Sequence, residues 1–310
     1  MALGSGQQTV TTAANFIPEL WSDEVIAGYK KNLVLGNIVT KINHSGKKGD
    51  TINIPAPVRG AATAKSANTQ VTLQGDTHGT VALSVNKHYE YSVVIEDITE
   101  VQALSSLRRF YTDDAGYALA TQVDTDIFTI CEGLQSGTVG GTGTALWEKA
   151  KIGGDGSTDF VGGTSNASDI TDAGIRKLIL TLDNADVPMD NRCLVIPPIA
   201  ANDMLGINRF TEQQFIGDGN AIKTGKIGSI YGIDVFVSNN CPTVTTTNSV
   251  SVRIGVILHK DAIALVEQMG VRSQTQYKQE YLGDLFTADT LYGVGELRNL
   301  SGIAIAVPAA

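Results

Sequence analysis

Four histidines, three cysteines and 32 acidic residues are the raw material for chemistry in this chain of 310 residues. A metal centre needs its ligands at short, regular spacings. His44, His78, His88 and His259 form no HExxH and no other ligand pattern, so they read as solvated or core histidines. Cys131, Cys193 and Cys241 are odd in number and far apart, with no CxxC pair. They read as small apolar residues in a reducing compartment. No G-x-S-x-G nucleophile elbow is present. The stretch from Gly219 to Ile227 imitates a phosphate loop, but five residues separate its glycines and Ile227 stands where Ser or Thr would bind magnesium. Gly293-Val294-Gly295 lacks the third glycine of a dinucleotide fingerprint. Asp113-Asp114 and Asp124/Asp126 are paired carboxylates, which can do acid–base work. Their placement in a helical pattern instead predicts a solvated or intersubunit face. Lys30-Lys31, Lys47-Lys48 and Arg108-Arg109 are short basic pairs suited to nucleic acid, to a neighbour's acids or to plain solvent. No catalytic, cofactor-binding or metal-ligating set emerges, and an enzyme reading would require a metal or cofactor to co-purify.

Composition narrows the class. A net charge of −9 argues against a protein whose main task is neutralising phosphates. A hydrophobic share of 42% is that of a globular protein with a real core. There is no basic n-region with an apolar h-region and no apolar run of membrane-spanning length, so the chain is expected in the cytoplasm and off the membrane. The sequons at Asn43, Asn166 and Asn299 are then chance.

The elements that must position any site are unusual. Val81, Leu83, Val85, Tyr89, Tyr91, Val93 and Ile95 share one parity, the period of a strand, which at fifteen residues would reach about 50 Å. The period then changes. Val101, Leu104, Leu107, Tyr111, Ala115, Leu119, Val123, Ile127, Ile130 and Leu134 step by three or four, predicting a helix over about 97–134, about 55 Å long. Such lengths suit a plate-like subunit that tiles against copies of itself.

The rest of the chain is more ordinary. Residues 1 to 20 are small and polar and read as a flexible arm. Trp21, Val25, Ile26 and Tyr29 are spaced as a short amphipathic helix, which either clasps a neighbour or packs on its own domain. Ile52 and Ile54 lie on a short strand that the strand from Val81 would pair with, making a two-stranded flap. Such a ribbon is marginal alone, so another subunit is expected to order it. Val71 and Leu73 mark a further short strand. After a glycine-rich loop over 136–168, a helix begins at Thr171. Strands follow at Arg192–Ile196, Ile233–Val237, Val252–Leu258, Ala262–Val266 and Ile303–Val307, with a short helix at Ala200–Leu205 and a Thr-rich turn at 243–249. Extended stretches occupy Val271–Gln279 and Phe286–Gly295. The class is α+β.

This order of parts resembles the major capsid protein of tailed bacteriophages, the Hong Kong 97-like fold. Val187–Leu205 is similar to that family's helix exit, an Arg before an apolar strand, then Pro and a short helix. Gly225–Pro242 resembles its G-x-I-G-x-I-x-G-x-x-V-x-x-S-N-x-x-P stretch. Gly49–Pro57 resembles the opening of its extended E-loop, and the closing run from Gly293 to Val307 its return into the axial domain.

The resemblance implies an N-terminal arm over 1–45 and an E-loop over 46–90. It implies a peripheral domain over 91–135 and 268–300 containing the spine helix 97–134, and an axial domain over 136–267 and 301–310. The implied function is self-assembly of pentamers and hexamers into an icosahedral head shell around the phage genome. The alternative is an encapsulin-like nanocompartment enclosing cargo enzymes. Implied partners are further copies of the chain, a separate scaffolding protein, a portal and packaged DNA contacted without sequence preference. The implied location is the virion, with assembly in the bacterial cytoplasm. No cofactor is implied. Sites are then interfaces, with Trp21, Arg59, Lys65, Arg108, Arg109, Asp113 and Asp114 as candidates. Lys65 lies where some members crosslink a lysine to an asparagine; nothing in the sequence singles it out, and no crosslink is predicted.

Overall fold

The computed structural model describes residues 34–46, 48–56, 60–71, 73, 75, 79–102, 107–131, 133–134, 152–153, 167–207, 228–245 and 251–309. Three sheets and one long helix organise them. The first sheet has four strands in the order β1 (Thr40–Asn43), β11 (Ile263–Lys278), β12 (Gly283–Glu296) and β4 (Lys87–Glu96). The second has seven: β5 (Ile152–Gly153), β13 (Gly302–Pro308), β10 (Ser251–His259), β6 (Arg192–Ile196), β8 (Ile233–Val237) and β7 (Ser229–Ile230), with β9 (Thr243–Thr245) also on β10. The third is a two-stranded flap, β2 (Thr51–Ala56) with β3 (Gly79–Ser84). The helices are α1 (Leu35–Ile38), α2 (Asp97–Gln102), α3 (Leu107–Cys131), α4 (Asp172–Asn184) and α5 (Pro198–Leu205).

The long strand expected from Val81 to Ile95 is two strands in two sheets. Its parity is continuous, but the ladder changes partner at Val85-Asn86: Ile52 faces Leu83 in the flap, whereas Val93 faces Phe286 in the four-stranded sheet. Gly293 makes that corner possible. A Cβ there would fall on the Ser84 carbonyl oxygen and come within 2.9 Å of the Val85 Cα. This close backbone crossing explains the glycine that looked like half a nucleotide fingerprint. The strand expected at Ala262–Val266 and the extended stretch from Val271 are one strand, β11, interrupted by bulges between Glu267 and Arg272. Periodicity breaks at a bulge because one residue is inserted and the sides exchange. The Thr-rich turn begins as strand β9, and neither Val71 nor Leu73 is in a strand.

Helix α3 has 25 residues, about 37 Å. The predicted apolar stripe is its packing face. Ala115 and Leu119 meet Phe286 and Ala288 of β12, with Tyr89 and Tyr91 of β4 alongside. Farther along, Ile127, Phe128 and Cys131 join Leu35, Val195, Val256, Leu258 and Tyr292 in one cluster. That cluster draws on both large sheets, so the end of α3 is the joint between them. The helix is shorter than expected: it ends at Cys131, and Leu134 is buried in the turn that follows.

The seven-stranded sheet buries α4 on one face through Ile175, Leu178 and Leu182 against Leu194, Ile257, Ile303 and Ile305. Thr171 caps α4, its hydroxyl accepting from the Gly174 N–H at 3.1 Å. Arg192 fixes the helix exit. It is 3% exposed, donates to the Val187 and Pro188 carbonyls at 2.6 and 2.8 Å, and pairs with Asp183 at 2.7 Å. The arginine before the apolar strand thus ties the end of α4 to β6.

The flap is not left bare at its root. Leu83 and Val85 are buried with Ala264 and Val266 of β11, and Ile42, Ile52, Ile54 and Val81 pack around them. The ribbon is ordered against something else, as expected, but where another subunit was the expected partner its strands sit on the chain's own four-stranded sheet.

Candidate assembly interface

What the fold leaves uncovered is the loop beyond the flap. Every described residue from Gly60 to Gly75 is exposed, including Val71 at 59% and Leu73 at 86%. The stretch holds one charge, Lys65, and no other large apolar side chain. A turn at Ala67-Asn68 carries positive φ at Asn68, 62°, a conformation that asparagine tolerates. The described residues of the loop have little of their own to fold around.

A second exposed edge is the β11–β12 hairpin. Residues 271–277 of β11 are all exposed, and Tyr281 and Leu282 at the turn are 62% and 67% exposed. The Tyr277 hydroxyl donates to Asp97 at 3.0 Å, and the Asp97 N–H donates to the Leu282 carbonyl, so the hairpin tip is pinned to the start of α2.

The candidate residues fall in different places. Arg109, Asp113 and Asp114 share α3, with Arg109 and Asp113 exposed one turn apart. Asp114 is half-buried and accepts from the Tyr91 hydroxyl at 3.1 Å. Burial first, and Asp114 second, push the Tyr91 phenol above its ordinary range. Arg108 lies on α3, its side chain outside the described residues. Lys65 is on the exposed loop, apart from the α3 group. Trp21, Arg59, the amphipathic stretch at 21–29, His78 and the loop at 219–227 lie outside the described residues. Sequence reading missed Val271, Tyr281 and Leu282, and took Val71 and Leu73 for strand. The available signal was isolated apolar residues in otherwise polar, glycine-bounded segments.

The other acidic pair is corrected outright. Asp124 and Asp126 are 1% and 7% exposed, not a solvated or intersubunit face. Asp124 accepts from the Leu35 N–H at 2.8 Å and from the Asn240 side-chain amide at 3.2 Å. It thereby ties α1 and the loop after β8 to α3. Burial pushes its carboxyl up, and hydrogen bonds from Asn240, Gly36 and Leu35 pull it partway back. Asp126 pairs with Lys87 at 3.1 Å and accepts from the Tyr292 hydroxyl at 2.7 Å. Both carboxylates are thus engaged as internal ties. Cys131 and Cys241 are buried free thiols, as their reading as small apolar residues predicts, and burial pushes Cys241 up to about 12. His259 is a core histidine whose Nδ1 accepts from the Asp261 N–H. Among the described residues no three His, Cys, Asp or Glu side chains are grouped to hold a metal ion, and no helix is long and apolar enough to cross a membrane.

The described residues thus form two large sheets joined at one long helix, with an extended flap and an uncovered loop. The family model described as phage capsid protein matches residues 19–295. The chain belongs to the phage capsid protein family. No curated protein sequence matches it. Among solved structures, one from Mycobacterium phage Che8 aligns at 26% identity over 94% of this chain and 97% of its own, with a TM-score of 0.73. The capsid of cyanophage P-SCSP1u aligns at 17% identity over 99% and 97%, with a TM-score of 0.75. The acid-stable capsid of Helicobacter pylori bacteriophage KHP30 aligns at 11% identity over 99% and 100%, with a TM-score of 0.71. At such low identities the last two speak to fold, which is the Hong Kong 97-like capsid fold with mixed helix and sheet. This capsid protein is a shell-forming major capsid subunit of a tailed phage, and the family match sets the nanocompartment alternative aside.

Proposed function

We propose that this capsid protein closes its shell by interlocking, with the flap and its loop reaching from one subunit over the α3 face of the next. The observation that carries the reading is a loop whose described residues from Gly60 to Gly75 are all exposed, on a flap whose root is firmly seated. A rigid base with an uncovered tip is what a reach between subunits requires. The four-stranded sheet with α2 and α3 then serves as the peripheral domain containing the spine. The seven-stranded sheet with α4 and α5 serves as the axial domain meeting its copies at five- and six-fold centres. Individually weak contacts add through multivalency, because each subunit is held by several neighbours at once. The contacts are heterologous, with rotation and curvature deciding closure.

The role is structural, with no catalytic step assigned to any residue. Arg108, Arg109, Asp113 and Asp114 of α3, together with Trp21, Arg59 and Lys65, are the proposed intersubunit positions. A separate scaffolding protein and a portal are proposed as assembly partners in the host cytoplasm, and packaged DNA as a non-specific contact of the inner surface. Negative-stain microscopy of the purified chain at high concentration, alone and with scaffolding protein, tests this. Closed particles of uniform size are expected. Monomers alone, with scaffolding protein supplied, would sink the reading.

A further inference from the structure

Three described arginines have an aspartate partner: Arg176 with Asp172, Arg192 with Asp183 and Arg272 with Asp289. Arg253 of β10 is different. It is half-buried, yet among the described residues no carboxylate lies within ion-pair distance of it and no acceptor takes its N–H groups. A guanidinium stays charged wherever it is placed, so withdrawing one from water without an anion is unfavourable. The local sequence supplies no acid. Arg253 lies opposite Thr243 of β9, and the turn 246–250 between the two strands reads Thr-Thr-Asn-Ser-Val. Asp124 of α3 is held inward by the Leu35 N–H and the Asn240 amide.

Arg253 lines an open cavity of ≈ 620 Å³ between the end of α3, the loop after β8 and the start of β9. No Asp or Glu lines it. The hydroxyls of Thr125 and Thr129 on its α3 wall are engaged with their own helix, donating to the Thr121 and Thr125 carbonyls at 2.8 and 3.1 Å. The Asn240 amide donates to Asp124 and to the Thr125 hydroxyl, both at 3.2 Å. The donors left at the cavity are the Arg253 guanidinium, the amide of exposed Asn239 and the hydroxyl of exposed Thr243. The guanidinium's field reaches the cavity floor. Burial pushes the Cys241 thiol up, and Arg253 is the first influence that pulls it back.

We propose that this cavity is an oxyanion site that takes a phosphate group, with Arg253 as its fork and Asn239 and Thr243 as flanking donors. Donors from three segments suit a tetrahedral anion, whose oxygens point in several directions, better than a planar carboxylate. The cavity is open and larger than the anion itself, so it admits free phosphate or the phosphodiester of a nucleic-acid strand. The chemistry recognised is the same for both. Phe128 and Cys241, which also line the cavity, belong to the cluster that joins the two large sheets, so occupancy braces that joint. The site lies within one subunit and does not depend on the interlocking reading.

The test is thermal unfolding of the full chain at fixed ionic strength as chloride is exchanged for inorganic phosphate. The wild type is expected to gain about 2–4 °C along a saturating curve. Arg253→Gln should lose that gain. Asn239→Asp places a carboxylate beside the guanidinium at an exposed position; it should raise the melting temperature without phosphate and cancel the response to it. If Arg253→Gln does not fold, Asn239→Asp and Thr243→Val carry the test, since both positions are exposed. A short duplex DNA followed by fluorescence anisotropy separates the sources. Binding that phosphate competes away and Arg253→Gln abolishes assigns the phosphodiester, whereas a phosphate response without such binding assigns the free anion. A rise that does not saturate, or that Arg253→Gln and Asn239→Asp share with the wild type, is a general salt effect and would overturn the site. A wild type indifferent to phosphate would overturn it too, leaving Arg253 to a carboxylate of its own chain or of another copy. The shell reading is untouched by any of these results, because particle microscopy tests it separately.

Discussion

The seven-stranded sheet and the flap are both antiparallel in their main pairings, yet they are opposite kinds of β structure. In β10 every residue from Val252 to His259 is buried except the half-buried Arg253, and β13 is buried from Gly302 to Val307. That sheet is finished within the chain, with α4 closing one face. The flap alternates exposed and half-buried residues along β2, buries only Leu83 on β3, and opens into a loop with no buried residue described. The first region is built for the stability of the subunit. The second is the region that the proposed interlocking uses.

The sharpest way to break this comparison is to damage the finished sheet. Ile257 is fully buried and lies between Leu194 and Ile303 in the ladder. Ile257→Ala should cost about 2–5 kcal/mol through lost burial and an unfilled cavity, read as a fall in the urea midpoint of the isolated subunit. An intact midpoint would mean that the sheet is not where stability resides.

A smaller effect is expected at the corner where the two kinds of sheet meet. Gly293→Ala places a methyl group onto the Ser84 carbonyl and should destabilise by about 1–3 kcal/mol through overpacking. The flap root should loosen first, seen as faster amide exchange in β2 and β3. Uniform exchange across the chain would show that the corner is not the flap's hinge point.

Asp124, which ties α1 and the loop after β8 to α3, gives a pH test. Its folded-state carboxyl is raised by burial. A raised acid contributes stability that is complete below its unfolded pKa and lost as pH rises through the folded value. The wild type minus Asp124→Asn difference in unfolding free energy should therefore decline as pH is raised from about 4. A flat difference would show that the α1 tie does not titrate with folding. On the loop, Leu73→Asp should change subunit stability by no more than about 0.5 kcal/mol, because the side chain is already in solvent.

Much of this was legible from residue order because burial follows period. Leu194 to Ile196, Ile233 to Val237 and the α4 stripe announced themselves through apolar spacing and caps that no tertiary contact needed to override. The ladder change at Val85-Asn86 was invisible, since side-chain parity runs straight through it while the partner strand changes. The bulges in β11 hid one long strand as two. Asp124 and Asp126 misled for a different reason. A carboxylate on a helix reads as solvated, and only the fold brings the Leu35 N–H, Asn240, Lys87 and Tyr292 to them. The uncovered loop is where local strand propensity and structure disagree: Val71 and Leu73 carry a strand's alternation but pair with no strand among the described residues.

The most direct measurement is electron microscopy of a variant lacking Gly60–Gly79, paired with its urea unfolding curve. The account predicts an unfolding midpoint close to the wild type and no closed shells. Closed shells of normal size from the folded variant would contradict it.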